Sequence, residues 1–210
     1  MRLLAATACA LLLLLPVGVG QAKRHHHKPK PTCTPKGSKT IAAGPKVRVF
    51  TLHKGDSTGL YACRAAGHKR FLLATADDAE GTGDAVAIVR VAGRFVAWDE
   101  QHFDDSERYN PDFKGFPSSV WALDTRSGAK RTAAATSGTP DTSSVESLVL
   151  KPNGSFAWIG SGATLEVHRY DAAADTILDS GPDIDPASLA ASPAQLYWLR
   201  AGVAHSAPFS

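Results

Sequence analysis

Cysteine and methionine are scarce in this chain, which has three Cys and one Met among 210 residues. So few cysteines exclude a small domain in which disulfides replace the core. Charged residues make up 20% and hydrophobic residues 43% of the sequence, and the net charge is +3. This balance excludes a wholly disordered or a fibrous chain. After residue 22, no apolar run reaches the roughly 20 residues that a membrane-spanning helix needs.

The motifs of the common catalytic classes are also missing. The sequence has no Gly-x-Ser-x-Gly, no paired His on a helix, no phosphate-binding loop and no Gly-x-Gly-x-x-Gly after a strand. Residues 55–210 contain 13 basic and 20 acidic side chains, whereas a nucleic-acid surface needs a basic face. The sequence therefore predicts no cofactor, no catalytic or metal-binding residue and no nucleic-acid partner.

Residues 1–22 have the pattern of a secretory signal peptide. Arg2 supplies the charged start, the apolar run Leu3–Pro16 follows, and small residues favour cleavage after Ala22. An uncleaved N-terminal anchor is the alternative. We expect export, so that the mature protein is secreted or lies in the cell envelope without a transmembrane segment.

Residues 23–36 form a basic segment that is rich in proline and histidine. Like charges and prolines cannot bury a core, so this segment is predicted to be an extended or disordered linker. It is either a solvated spacer or a segment attracted to anionic wall polymers or lipid head groups. Metal handling by His25–His27 is a third hypothesis, although a flexible tract offers no fixed coordination geometry.

Short β-type runs separated by Gly, Asn, Asp and Pro begin at residue 37. One of them recurs, because Phe95–Trp98, Phe156–Trp158 and Leu196–Trp198 each follow a strand and a turn. A weaker copy is Leu60–Cys63, in which Cys63 takes the place of the Trp. A period of about 40–50 residues with four strands is typical of a β-propeller blade.

The repeat predicts an all-β fold for residues 37–210, a β-propeller-like array of about four four-stranded units. The predicted units are 37–76, 85–137, 144–182 and 186–210. The last unit is short of at least one strand, and Ser38–Ala43 from the opposite end of the chain is expected to supply it and hide both edges. An open arc or a dimer is the alternative to closure, and an irregular β-sandwich is the alternative fold.

Two copies of a run of the form LxLxxxGxVAW followed by VxVxDxxTG cover residues 86–175. By this run the chain resembles uncharacterised secreted propeller-like repeat proteins of GC-rich bacteria, and more loosely the WD-repeat, kelch and TolB-type β-propellers. The resemblance extends over most of residues 37–210. It implies an architecture and carries over no functional residue.

The recurrent Trp98, Trp158 and Trp198 are expected in the core, because each has an apolar neighbour two residues earlier on the same strand face. A carbohydrate-stacking platform is the alternative. Cys33 and Cys63 are the two cysteines of the predicted mature chain. Export favours a disulfide between them that ties the linker to the first unit, and the alternative is a buried Cys63 with a free Cys33.

The segment 99–117 is the longest part of the domain without a strand pattern, and it concentrates acidic and aromatic residues. Loops of this length are often functional or mobile. A solvated loop pinned by its aromatics and a Ca²⁺ site are alternatives to a contact with a protein or a glycan. The residues predicted for that contact are Asp104, Asp105, Glu107, Tyr109 and Phe113.

The function predicted from these features is that of an exported, non-catalytic module that binds a protein or an envelope polymer. The alternative is an extracellular glycan hydrolase or lyase that uses acids of the 99–117 segment.

Overall fold

The structure is a computed structural model that describes residues 32–77, 81–110, 115–137, 142–171 and 174–210. The predicted signal peptide 1–22 and all but the end of the predicted linker 23–36 lie outside these residues. The described ranges form an all-β fold, as predicted, with short 3-10 turns at Ala66–His68 and Asp105–Tyr109. Within them, no helix has the length and apolarity to cross a membrane.

Unit 1 is an antiparallel meander whose strands lie in space in their order along the chain. Alternating apolar residues on β2 and β3 give these central strands a buried face. The strands of unit 1 are β1 (Lys39–Ala43), β2 (Val47–Lys54), β3 (Ser57–Arg64) and β4 (Arg70–Asp77).

Unit 2 is a second antiparallel meander, and the short strand β5 (Thr82–Ala85) joins it to unit 1. Strand β5 pairs with the end of β4 on one side and with the end of the long strand β7 on the other, so the two units share one nine-stranded sheet. The strands of unit 2 are β6 (Val89–Ala92), β7 (Phe95–Asp104), β8 (Ser118–Asp124) and β9 (Lys130–Ala134).

Units 3 and 4 form separate antiparallel sheets of four and three strands. Unit 4 has one strand fewer than the others, which agrees with the predicted incomplete last unit. Unit 3 contains β10 (Ser144–Leu150), β11 (Phe156–Ser161), β12 (Leu165–Asp171) and β13 (Ala174–Ser180). Unit 4 contains β14 (Ala190–Ala191), β15 (Gln195–Arg200) and β16 (Val203–Pro208).

The expected closure by Ser38–Ala43 is wrong. Strand β1 pairs with β2, and β16 pairs with β15. Among the described residues, the first strand of the chain therefore does not complete the sheet of the last unit. The reason is local, because only a short turn separates β1 from β2, and the Gly44 amide donates to the Val47 carbonyl across it at 2.8 Å. A hairpin closes a much shorter loop than a pairing between opposite ends of the chain, and therefore costs less conformational entropy.

One aromatic pair recurs in every unit and identifies the repeat. In each unit, an aromatic residue on the strand that carries the repeat stacks on the ring directly opposite it on the following strand. In unit 1 the residue at the Trp position is therefore Phe50, and the prediction that Cys63 takes this position is wrong, because Cys63 lies on the following strand. The four pairs are Phe50–Tyr61, Trp98–Trp121, Trp158–His168 and Trp198–His205, with ring centroids 5.7, 6.1, 4.7 and 5.8 Å apart.

Three hydrophobic clusters lie between successive units. Trp98 packs with residues of unit 1, whereas its neighbour Ala97 packs with residues of unit 3. Trp158 and Ala157 repeat this division between units 2 and 4. Units 2 and 3 therefore each place the repeat Trp on the face toward the preceding unit and a small residue on the face toward the next unit.

The tryptophans are buried, which confirms the expected core role and excludes an exposed stacking platform. Trp98 and Trp158 are 0% exposed and Trp198 is 5% exposed. The Trp158 indole N–H donates to the Ala135 carbonyl of the preceding unit at 2.8 Å. The approach is so close that a Cβ at Gly160 would lie 1.7 Å from that same carbonyl oxygen.

Candidate functional site

The segment 99–117, predicted to lack strands, starts as a strand. Strand β7 runs on to Asp104, and a 3-10 turn occupies Asp105–Tyr109. This extension of β7 has a tertiary cause, because β5 pairs with the polar end of β7 and satisfies its backbone groups. The consecutive polar residues 99–102 carried no hydrophobic signal for this pairing.

The first two acids of that segment have structural roles. Asp99 is 7% exposed, and its carboxylate accepts the amides of Ala87 and Ile88 at 2.9 and 2.6 Å. Burial raises the pKa of Asp99, although the backbone N–H groups oppose this shift. Glu100 accepts the indole N–H of Trp98 at 3.1 Å, and burial raises its pKa as well.

The predicted contact residues lie together on one short turn, as far as the structure describes them. The Asp104 carboxylate accepts the hydroxyl and the amide of Ser106, which lower its pKa. Asp105 and Glu107 are exposed, and Tyr109 ends the turn. Phe113 lies outside the described residues. The turn is thus an acidic surface next to the end of β7.

A second group of charges lies where turns at other strand ends of units 1 and 2 come together. The β1–β2 and β3–β4 turns of unit 1 meet the β6–β7 and β8–β9 turns of unit 2 around a cavity of about 310 Å³. Each of these four turns contributes one cationic side chain, and none of the described residues that line the cavity is Asp or Glu. The lining residues are Pro45, Lys46, Arg64, Ala65, Ala66, Arg94 and Arg126, and we refer to this cavity as the basic pocket.

Asp124 organises the unit 2 side of the basic pocket. Its carboxylate accepts the Arg94 guanidinium at 3.0 Å and the Arg126 amide at 2.8 Å. Burial tends to raise the pKa of Asp124, but these bonds outweigh it and hold the pKa below its usual range. The buried Thr125 donates its amide and hydroxyl to the Arg94 carbonyl, so the two turns are tied together.

The disulfide organises the unit 1 side. Cys33 and Cys63 are bonded, as predicted, and Cys63 directly precedes Arg64. The Arg64 guanidinium donates to the Ala66 carbonyl at 2.7 Å. Arg48 donates to the Cys33 carbonyl and to the Ser38 hydroxyl, which holds the start of the described chain against the sheet. Cys33, in the described end of the linker, is therefore bonded to unit 1 at the residue before Arg64 of the basic pocket.

Sequence reasoning missed the basic pocket. The net negative charge of residues 55–210 hides the local excess of cations around the cavity. A usable signal was present, because a Lys or Arg flanks the turn between the first two strands and between the last two strands of both units 1 and 2.

An ion network around the buried His168 lies between units 2 and 3. His168 is 1% exposed, and its ring nitrogens face Glu166 at 2.9 Å and Asp175 at 3.0 Å. Ser137 of unit 2 donates its amide and hydroxyl to Glu166 at 2.6 and 2.5 Å. Carboxylates only accept, so two facing carboxylates require both ring nitrogens to carry protons.

The titration of His168 follows from this geometry. Burial tends to lower the pKa of His168, but Asp175 and Glu166 outweigh it, and the pKa lies above its ordinary value. The pKa of Glu166 is lowered, because the bonds from Ser137 and His168 outweigh the opposing effect of burial. The ring is stacked on Trp158 and sealed from solvent, so the network joins two units and offers no site to a substrate.

Comparison with protein-family models and with curated proteins finds no match. The closed Cys33–Cys63 bond is characteristic of an oxidising, extracellular environment. Among the described residues, no group of three or more His, Cys, Asp or Glu side chains has the arrangement of a metal site. The chemistry that the described surface offers is thus charge recognition, with a basic pocket at one edge and an acidic turn at another.

Proposed function

We propose that this protein is an exported, non-catalytic module that binds a polymer or a protein of the cell envelope. The observation that carries the proposal is the basic pocket, in which four turns from two successive units bring their cations to one cavity. Charged side chains on turns held by a rigid sheet are a common way to build a binding site. Export agrees with the closed disulfide and with the predicted signal peptide at 1–22.

The state of the acids favours a binding module over the alternative of a glycan hydrolase or lyase. A hydrolase of the usual kind needs two carboxyl groups facing each other across a cleft. Asp99 and Glu100 already accept hydrogen bonds that hold the fold, and Asp104 caps the turn that follows it. The remaining acids of this turn, Asp105 and Glu107, are exposed beside it.

For the architecture we propose a propeller-like array of four units. It is supported by the recurrent aromatic pair in each unit and by the three clusters that join neighbouring units face to face. The resemblance to secreted propeller-like repeat proteins of GC-rich bacteria belongs to this proposal. In such an array the turns between strands gather at the edges of the sheets, where the basic pocket lies.

Retention on isolated envelope tests the proposed function. The exported protein is incubated with cell-wall, membrane and periplasmic protein fractions, and bound protein is eluted with a salt gradient. We expect retention on one fraction. If the protein binds none of the fractions, the proposed binding module is rejected.

Turnover of wall and plant polysaccharides tests the enzymatic alternative. Asp104→Asn combined with Asp105→Asn removes two charges and keeps the size of both side chains. We expect no turnover by the unmodified protein. Reproducible turnover that this double variant lowers by about 10²-fold or more would establish the enzyme instead.

A further inference from the structure

We infer that the basic pocket binds a polymer that carries repeated oxyanions, such as phosphodiester or carboxylate groups. This inference rests on the proposed function and names the class of ligand that the pocket takes. The shared chemistry is a row of negatively charged oxygen groups spaced along a chain.

The charge of the lining supports an anionic ligand. Within the part of the chain that the structure describes, the cavity is lined by Lys46, Arg64, Arg94 and Arg126 together with Pro and Ala. Asp124 bonds the Arg94 guanidinium at 3.0 Å, which offsets one of the four charges. The remaining excess of positive charge is concentrated in a concave site, where low-dielectric walls focus the field and attract anions.

Two of the three arginines are held in place before any ligand arrives. Arg94 is held by Asp124 and lies over the ring of Phe95 at 4.8 Å. Arg64 is held by the Ala66 carbonyl. A planar guanidinium whose orientation is already set loses little freedom on binding, and its remaining N–H groups match the paired oxygens of a phosphate or a carboxylate. This favours oxyanions over simple halide ions.

The cavity is large enough for one repeat of a polymer. Its volume of about 310 Å³ lies at the lower end of the range for small-molecule sites. Pro45, Ala65 and Ala66 provide a short, weakly polar wall on the unit 1 side. A sugar or polyol ring can lie against such a wall while its charged substituent meets the arginines.

The place where the linker is attached favours a polymer over a single small anion. Cys33 is bonded to Cys63, one residue from Arg64, and the sequence before Cys33 is basic. Residues 23–31 contain two further pairs of cations, Lys23 with Arg24 and Lys28 with Lys30. Because the chain itself joins these cations to Cys33, a ligand with repeated charges can engage more cations than a single anion can, and linked contacts strengthen binding through effective concentration.

Two charge-matched double variants test the site in the full exported chain. The pocket variant combines Lys46→Ala with Arg126→Ala, and both of these side chains are exposed. The control combines Lys39→Ala with Lys54→Ala. These two residues are also exposed, but they lie at the opposite strand ends of unit 1, at the start of β1 and the end of β2. Both variants lose the same charge, so they differ only in where it is lost. Thermal unfolding checks that each variant folds.

Four probes are titrated at several salt concentrations. Linear inorganic polyphosphate and polygalacturonate represent the phosphate and the carboxylate source, inorganic phosphate represents a single anion, and vesicles with phosphatidylglycerol represent a membrane. For at least one of the two polymers, we expect the pocket variant to bind about tenfold more weakly than the unmodified protein, with a shallower salt dependence, and the control to stay within about twofold. A preference between the two polymers identifies the source of the oxyanion.

The outcomes that overturn the inference are separate from those that overturn the proposed function. Equal losses in the two double variants would show attraction by net charge without a site. Binding to the vesicles alone would assign the charges to a membrane surface, and tight binding of inorganic phosphate without the polymers would reject a polymer ligand. If the pocket variant is retained on an envelope fraction as strongly as the unmodified protein, the pocket is rejected while the proposed function stands.

Discussion

Trp158 and His168 lie directly opposite each other on β11 and β12, with their ring centroids 4.7 Å apart and their planes 11° from parallel. The indole side of this pair bonds the Ala135 carbonyl of unit 2, and the imidazole side bonds Glu166, which in turn holds Ser137. A stacked pair in one sheet therefore anchors the end of the preceding sheet. Both rings are buried, so the junction combines apolar packing with a satisfied ion network.

Removing the indole should open this junction. Trp158→Ala is expected to lower the free energy of unfolding by about 3–5 kcal/mol, because a large cavity forms and the Ala135 carbonyl loses its donor. Urea denaturation measures the change. Tyr197→Ala is the control, since Tyr197 is the residue before a repeat Trp but is 41% exposed, and its loss should cost less than about 1 kcal/mol. Similar losses in both variants would contradict the packing assigned to Trp158.

Stability should depend on pH through His168. Its pKa is raised by Asp175 and Glu166 against the effect of burial, so its contribution is complete below the unfolded value of about 6.5 and is lost as the pH rises through the folded value. The lowered pKa of Glu166 acts in the other direction, and its contribution is lost as the pH falls through its folded value. The network should thus stabilise most between about pH 4.5 and 6.5.

His168→Gln isolates this effect. The variant should be less stable than the unmodified protein by on the order of 3 kcal/mol at pH 6, because the buried Glu166 and the partly exposed Asp175 lose their charged partner. The difference should shrink as the pH rises from about 6.5 through the folded pKa of His168. His205→Gln, at the equivalent position in unit 4, should leave the pH profile in place. A constant difference from pH 5 to 9 would show that folding does not change the pKa of His168.

Reduction of the Cys33–Cys63 bond should destabilise unit 1. The bond spans 30 residues of sequence, and in the chain-entropy model closing such a loop stabilises the fold by ~3–4 kcal/mol. Urea midpoints with and without a reductant measure the effect. In a Cys33→Ser variant the reductant should change nothing. An unchanged midpoint in the unmodified protein would show that Arg48, through its bonds to Cys33 and Ser38, holds the segment without the disulfide.

The link between units 3 and 4 should open separately from the rest. Asp179 of β13 accepts the Trp198 indole N–H at 2.8 Å and the Arg200 guanidinium at 2.6 Å. Asp179→Ala leaves both donors without this partner, at a cost of about 1–3 kcal/mol. Amide exchange should become faster in β15 and β16 and stay unchanged in β7 and β8. Asp183→Ala is the control, because it removes an exposed acid nearby and should have no such effect. Faster exchange throughout the chain in Asp179→Ala would mean that the four units unfold as one.

The local part of this architecture was predictable from the sequence. Alternating apolar residues and regular turns predict antiparallel strands, and the recurrent Trp predicts the unit boundaries, because both signals come from neighbours along the chain. The Cys33–Cys63 bond was predictable for a similar reason, since two cysteines in a predicted exported chain leave a single pairing. The incomplete last unit could likewise be inferred from its length.

Contacts between distant segments were decided only by the tertiary structure. The extension of β7 through Asp104 depends on β5, and the match of Phe50 to the three tryptophans depends on the register of β2 with β3. The basic pocket brings turns of two units together, and its residues look like ordinary surface cations in a sequence whose folded part is acidic overall. Charge acts through space over about 10 Å, so a site made of single cations on separate turns has no signature along the chain.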